Sequence, residues 1–169
     1  MQMSDTRQIA ATPEQVYAAL LDPEMLKACV PGATEVEGSP EDGFTATVVQ
    51  KVGPVKATFK GEVTISDMVP DTSLKIDGAG KGGAAGFAKG GADVRLAPSD
   101  GGCELSYDVE AKVGGKLAQL GSRIIDGFAK KMADQFFNNL QEALEGPKEA
   151  PAEGEEVAEK KGWFGLKKS

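Results

Sequence analysis

The fold of this chain is decided by residues 116–145, which read KLAQLGSRIIDGFAKKMADQFFNNLQEALE. Apolar side chains recur there at steps of three or four residues, the spacing of one stripe along an α-helix. The stripe consists of Leu117, Leu120, Ile124, Phe128, Met132, Phe136, Leu140 and Leu144, widened by Ile125 and Phe137. A helix of this length would extend about 45 Å at about 1.5 Å per residue, far enough to cross a small sheet. We therefore predict one long helix whose apolar face covers a sheet.

The chain before this helix shows the signals of β-strands joined by short turns. Apolar and polar side chains alternate along residues 55–66, as they do in a strand with one buried face. Further strands are predicted at 2–10, 34–37, 44–52, 73–81, 87–97 and 103–113. Thr12 and Asp22 each precede a proline, which predicts the starts of two short helices after the first strand. This order of elements predicts an α+β domain in which a curved antiparallel sheet wraps on the long C-terminal helix.

The composition argues against several classes of function. The net charge is −7, and residues 1–145 hold 14 basic and 21 acidic residues, which argues against nucleic acid as a partner. The chain has no histidine, so the usual general base and zinc ligand are absent, and we expect no metal site and no catalytic residue. Cys29 and Cys103 lack metal-binding spacing. They are best interpreted as buried reduced thiols, with a disulfide or a reactive thiol as the alternatives.

A glycine-rich stretch near the middle of the chain matches the dinucleotide pattern G-x-G-x-x-G at residues 78–83. The pattern needs a helix directly after it, whereas Phe87 begins a predicted strand, so nucleotide binding is not favoured. The inward positions of these strands are small, namely Gly78, Gly80, Ala88, Gly90 and Ala92. Three interpretations remain open: a ligand pocket under the long helix, tight packing of the helix onto the sheet, or sheet curvature without a pocket.

The end of the chain differs in composition from the rest. We predict a ligand-binding domain at 1–145, a disordered acidic linker at 146–161 and a docking tail at 162–169. The docking side chains of the tail are Trp163, Phe164, Leu166, Lys167 and Lys168. Aromatic residues beside lysines suit the interface of an anionic membrane, although a protein partner or no role would also fit. No apolar run approaches the roughly 18 residues that span a bilayer, and we expect a cytoplasmic protein.

Several short segments resemble the carbon monoxide dehydrogenase G-subunit family of the START-like helix-grip superfamily. They are Asp22-Pro23-Glu24 with Leu26, Cys29, Pro31 and Gly32; Gly53-Pro54-Val55-Lys56; Phe87-Ala88-Lys89-Gly90; and Leu120-Gly121-Ser122-Arg123 continuing to Phe136-Phe137. The resemblance covers residues 1–145. It implies a non-catalytic accessory protein of a molybdenum-containing dehydrogenase, a cavity for a hydrophobic ligand between sheet and long helix, and recruitment of the dehydrogenase to the inner face of the cytoplasmic membrane.

These expectations combine into one hypothesis, that the chain shelters a quinone, menaquinone or ubiquinone, and links the dehydrogenase to the membrane. The candidate ligand-binding residues are Tyr17, Phe59, Phe87, Ala92, Tyr107, Leu120, Ile124 and Phe128. The alternative is an adaptor that recruits the dehydrogenase without any ligand. An enzyme of cyclase or hydrolase type is a third interpretation, disfavoured by the missing histidine.

Overall fold

The structure is a computed structural model and describes residues 1–145. The predicted linker at 146–161 and the predicted docking tail at 162–169 lie outside the described residues. The strands are β1 (Gln2–Ile9), β2 (Ala33–Ser39), β3 (Gly43–Val52), β4 (Val55–Val69), β5 (Ser73–Lys81), β6 (Phe87–Ser99) and β7 (Gly102–Gly114). The helices are α1 (Pro13–Leu20), α2 (Pro23–Cys29), α3 (Lys116–Gln119) and α4 (Ser122–Glu145), with a 3₁₀ turn at Gly83–Ala85.

The strands form one antiparallel sheet in the order β1-β7-β6-β5-β4-β3-β2. Strands β2 to β7 follow one another through short connections, and each pairs with the next along the chain. Strand β1 instead pairs with β7 over its whole length, from Gln2 opposite Glu110 to Ile9 opposite Cys103. The predicted α+β architecture, with two short helices after the first strand and a long helix at the end, is confirmed.

The two short helices begin where the sequence predicts. The Thr12 hydroxyl accepts a hydrogen bond from the Gln15 backbone N–H at 3.1 Å, and the Gln15 side chain accepts one from the Thr12 N–H at 2.9 Å. Asp22 caps α2 by accepting from the Glu24 N–H at 3.0 Å. Each such cap stabilises a helix start by about 1 kcal/mol.

The prediction of one uninterrupted helix over residues 116–145 is wrong at a single point. The helical backbone stops after Gln119 and begins again at Ser122, because Gly121 adopts a φ of +88°. This left-handed conformation is open to glycine and costly for other residues, so the helix is interrupted here. The result is a short helix, α3, that contacts β7 and places Leu117 in the interior, followed by the long helix α4.

The solid core lies under the C-terminal half of α4. Ile9, Val16, Cys103, Leu105 and Leu140 are almost completely buried there. The rings of Tyr107 and Phe137 stack across the sheet–helix boundary with their centroids 5.1 Å apart. Full burial of each large apolar side chain stabilises the fold by about 1.5–3 kcal/mol. The side chains under this half of α4 therefore contribute most of the hydrophobic stabilisation of the domain.

Candidate functional site: an apolar cavity under the first half of the long helix

The N-terminal half of α4 does not pack solidly on the sheet. A partly open cavity of about 360 Å³ lies between the helix and the inner face of the sheet. Its volume falls within the roughly 300–1,000 Å³ of small-molecule sites. It is also far larger than the roughly 30 Å³ that one water occupies in the liquid. Of the three interpretations of the glycine-rich strands, the presence of a pocket is therefore the one that the geometry favours.

The cavity wall comes from both layers and from the N-terminus. Its roof is built by side chains of α3 and α4 at helical spacing, and its floor by inward positions of the strands. The roof consists of Leu117, Ile125, Phe128, Ala129 and Met132. The floor consists of Met1, Met3, Val48, Gln50, Val52, Phe59, Ala88, Val109, Ala111 and Val113.

The surface that this wall offers to a guest is apolar. Gln50 is the polar side chain in the wall, and its Nε2 donates a hydrogen bond to the Pro31 carbonyl oxygen. The amide is therefore engaged with the backbone beside α2. Because a buried hydrogen-bonding group needs a partner, a wall of this kind accepts hydrocarbon and excludes polar ligand groups.

Small side chains give the cavity its volume. Ala88, Ala111 and Ala129 face it where larger residues would fill it. The neighbouring Gly90 has a different reason to be small, since a Cβ on it would lie 2.3 Å from the Glu110 carbonyl oxygen. Glycine at 90 is required by the close approach of β6 and β7, whereas the three alanines set the volume.

Two of the residues proposed from the sequence lie on the cavity, namely Phe59 on the sheet and Phe128 on the helix. Tyr17 and Tyr107 are instead part of the solid core. The Tyr17 hydroxyl donates to the Ser73 carbonyl oxygen at 3.0 Å, and burial raises the pKa of both phenols. They fill the half of the sheet that has no cavity.

The remaining four candidates lie outside the cavity wall. Leu120 and Ile124 point toward Gly53 in the β3–β4 turn, and Ile124 remains 41% exposed. Phe87 is 44% exposed and covers the backbone of Gly114. Ala92 is half-buried on β6, two positions beyond the small stretch that faces the cavity.

The sequence reasoning missed several wall residues, including Met1, Met3 and Ile125. The two methionines could have been found from the alternation of β1, in which Met3 shares a face with Ile9. Ile125 belongs to the helical stripe and lies in the wall, whereas its neighbour Ile124, the predicted ligand-binding residue, does not. Which of the two adjacent isoleucines faces the cavity depends on how α4 lies on the sheet, and no local pattern predicts that.

The two halves of α4 are held by different forces. The C-terminal half makes polar contacts with β1 and α2: Asp134 pairs with Arg7, Gln141 donates to the Gln8 carbonyl at 2.9 Å, and Asn139 donates to the Cys29 carbonyl at 2.9 Å. Within residues 1–145, the half before Asp134 makes no side-chain hydrogen bond to another element. Apolar contacts alone therefore hold the roof of the cavity.

Both cysteines lie in the solid core and not in the cavity wall. Cys29 and Cys103 are free and buried, which confirms the interpretation as reduced core thiols, and burial raises the pKa of each. Among residues 1–145, no group of three or more potential ligands is arranged to hold a metal ion. None of the helices in this part of the chain combines the length and apolar character needed to cross a bilayer.

A long helix laid across a curved antiparallel sheet over a cavity defines the START-like helix-grip class. The chain belongs to the carbon monoxide dehydrogenase G-subunit (CoxG) family, whose model matches residues 6–145. A solved structure of a conserved protein from Geobacillus kaustophilus is similar over 86% of this chain and 95% of its own, at 29% identity and a TM-score of 0.80. No curated protein sequence matches the chain significantly.

More distant structures share the fold alone. A protein from Chromobacterium violaceum is 20% identical, with a TM-score of 0.63, and the match covers 86% of this chain and 98% of that one. Ara h 8.0201 is 13% identical, with a TM-score of 0.58, and the match covers 85% and 97%. At such identities the resemblance concerns architecture and carries no functional residue across.

Proposed function

We propose that this protein is a non-catalytic accessory protein of a carbon monoxide dehydrogenase of the molybdenum type, and that its cavity holds part of a quinone. The single observation that carries the proposal is the apolar cavity of about 360 Å³ between α4 and the sheet. The family name supports the choice of dehydrogenase. A redox enzyme that passes its electrons to a membrane quinone needs a way to receive that quinone out of the bilayer.

The chemistry of the wall indicates which part of a quinone would enter. Phe59, Phe128 and Met132 offer hydrocarbon, ring faces and a thioether, and the one wall amide, on Gln50, is already hydrogen-bonded. An isoprenoid chain needs no hydrogen bond, whereas a quinone ring carries two carbonyl acceptors. We therefore expect a segment of the chain of menaquinone or ubiquinone inside, with the ring near the opening.

The volume of the cavity favours presentation over complete extraction. About 360 Å³ lies near the lower limit for ligand sites, so a long isoprenoid chain would enter only in part. The rest of the chain would stay in the membrane while the domain lies against it. The proposed tail residues Trp163, Phe164, Leu166, Lys167 and Lys168 would keep the protein at the inner face of that membrane.

A lipid-binding experiment tests the proposal directly. Purified full-length protein is offered menaquinone or ubiquinone in detergent, and bound lipid is identified by mass spectrometry of solvent extracts. Ala129→Trp places an indole in the cavity and should abolish binding, whereas Ala143→Trp on the exposed side of the same helix should leave it unchanged. Repeated absence of any isoprenoid or acyl ligand from the wild type would rule out the carrier function.

The same variants distinguish a quinone-presenting protein from the alternative, an adaptor that binds no ligand. Capture of the dehydrogenase is compared for wild type, for Ala129→Trp, and for a chain shortened by residues 163–169. An adaptor would lose capture at the membrane only with the tail and would tolerate the filled cavity. A quinone-presenting protein would keep capture in Ala129→Trp but lose electron transfer to the membrane pool.

A further inference from the structure

The antiparallel topology brings three separate segments to one end of the domain. Every second connection in an antiparallel meander lies at the same end of the strands. This end therefore holds the β3–β4 turn, the connection from β5 to β6 and the segment from β7 to α4. We call the residues 51–60, 81–89 and 112–123 the basic end. The cavity lies at this end, because Val52, Val113 and Leu117 in its wall belong to these segments or adjoin them.

The basic end carries a charge opposite to that of the rest of the domain. Its three segments contain seven lysines and one arginine and no aspartate or glutamate. Residues 1–145 hold 14 basic and 21 acidic residues, so the remainder has six basic residues against all 21 acidic ones. An acidic protein therefore presents one strongly cationic end, which the net charge of −7 conceals.

The register of the strands places six of these seven lysines directly opposite one another on the outer face of the sheet. The three pairs are Lys51–Lys56, Lys60–Lys81 and Lys89–Lys112. Like charges at opposed positions destabilise a sheet. The nearest acidic positions in the ladder are Glu62, two residues beyond Lys60, and Glu110, two residues before Lys112. Within residues 1–145 the salt bridges involve Arg7, Arg95 and Lys130. The fold thus accepts three pairs of like charges, and no salt bridge within residues 1–145 involves any of the lysines of the basic end.

Apolar side chains are exposed among these charges. Phe87 is 44% exposed and lies in register with Lys81, and Val49 on the same outer face is 36% exposed. Ile124, 41% exposed, follows Arg123 at the start of α4. Large apolar groups surrounded by lysines are the composition of surfaces that enter the headgroup region of anionic bilayers.

We propose that the basic end is a membrane-docking surface for anionic phospholipid, independent of the C-terminal tail. This inference rests on the proposed link to a membrane and names the face of the folded domain that makes it. Lysine suits this partner, because it acts as a point charge on a fluid surface, whereas arginine is favoured where carboxylates are bound in a fixed bidentate geometry. The acidic remainder is repelled by the same surface, so the domain docks with the cavity end toward the lipid.

Vesicle binding by the full-length chain tests the inference. Affinity is measured for phosphatidylcholine vesicles with and without phosphatidylglycerol, using Lys60→Gln with Lys89→Gln, one lysine from each of two pairs. The matched control is Lys27→Gln with Lys75→Gln, which changes the net charge equally but lies outside the basic end. Both double variants are also measured in a chain that carries Trp163→Ala and Phe164→Ala, so that binding by the tail does not conceal the effect.

We expect the first pair to weaken binding to anionic vesicles about thirtyfold, from roughly fivefold for each lysine at about 1 kcal/mol. The control pair should change affinity less than twofold, and binding should fall as salt is raised. Lys60→Gln and Lys89→Gln should leave the protein folded, because each removes a repulsion between opposed lysines. Thermal unfolding of these variants and of the control pair checks that both are folded.

Equal losses in both pairs, or wild-type protein that ignores phosphatidylglycerol, would overturn the inference. So would unchanged vesicle binding with weakened capture of the dehydrogenase, which would assign the surface to an acidic protein. The quinone experiment in detergent is a separate readout. Absence of quinone with normal vesicle behaviour would refute the proposed function and leave this surface standing.

Discussion

Filling the cavity should stabilise the protein and remove its ligand. Ala129→Leu adds three carbons at a position of α4 that faces the empty space. At about 0.8 kcal/mol for each buried methylene, the gain is at most about 2.4 kcal/mol. Ordering the leucine side chain costs about 0.5–1 kcal/mol. The free energy of unfolding should therefore rise by about 1–2 kcal/mol.

The matched control lies one turn further along the same helix. Ala133 is partly buried, packs against the solid core and does not belong to the cavity wall. Ala133→Leu should lower the free energy of unfolding by about 1–3 kcal/mol through overpacking. The difference in helix propensity between alanine and leucine is the same in both variants, so it cancels in the comparison.

Urea unfolding and thermal melts measure both changes. The melting temperature of Ala129→Leu should rise by roughly 2–8 °C, given about 2–4 °C per kcal/mol for a domain of this size. Offered quinone should raise the melting temperature of the wild type but not that of Ala129→Leu. A destabilised Ala129→Leu, with a loss similar to that of Ala133→Leu, would show that the cavity is not available space and would refute the reasoning.

The remaining predictions concern the helix break, the core and the thiols. Gly127→Ala, at an open position within α4, should stabilise by about 1 kcal/mol, whereas Gly121→Ala should destabilise because φ there is +88°; urea unfolding separates the two signs. Leu140→Ala should cost about 2–5 kcal/mol, since Leu140 is only 1% exposed, and a loss below 1 kcal/mol would contradict the core assignment. Burial raises the pKa of Cys29 and Cys103, so iodoacetamide should modify them only in urea. The thiols have a higher pKa in the folded protein than in the unfolded chain, so the unfolded chain releases their protons first as pH rises. The free energy of unfolding should therefore fall above about pH 9.

Much of the fold could be predicted from the sequence because its signals are local. The capping residues Thr12 and Asp22 start their helices through bonds to the next few residues. The alternation in β4 follows from the two-residue period of any strand. The stripe from Leu117 to Leu144 predicted a helix against a sheet, and only the interruption at Gly121 was missed.

The positions of individual side chains at the site were harder to predict from the sequence. Phe59 and Phe128 are large residues at inward positions, and both lie on the cavity as predicted. Tyr17 has the same attributes, yet it fills the solid core because α1 packs on the opposite half of the sheet. Whether a large inward residue lines a void or fills one depends on what faces it from another element, and that partner is distant in the chain.

The amino-acid sequence by itself determined the order of the elements, the buried face of each strand and the absence of imidazole chemistry, because these depend on residue type and short-range spacing. The tertiary structure alone decided two things. It set the position of the cavity, and it brought three pairs of lysines together at the basic end, where the cavity lies. Both outcomes depend on strand register and on the rotation of α4, which are set by contacts between residues far apart in the chain.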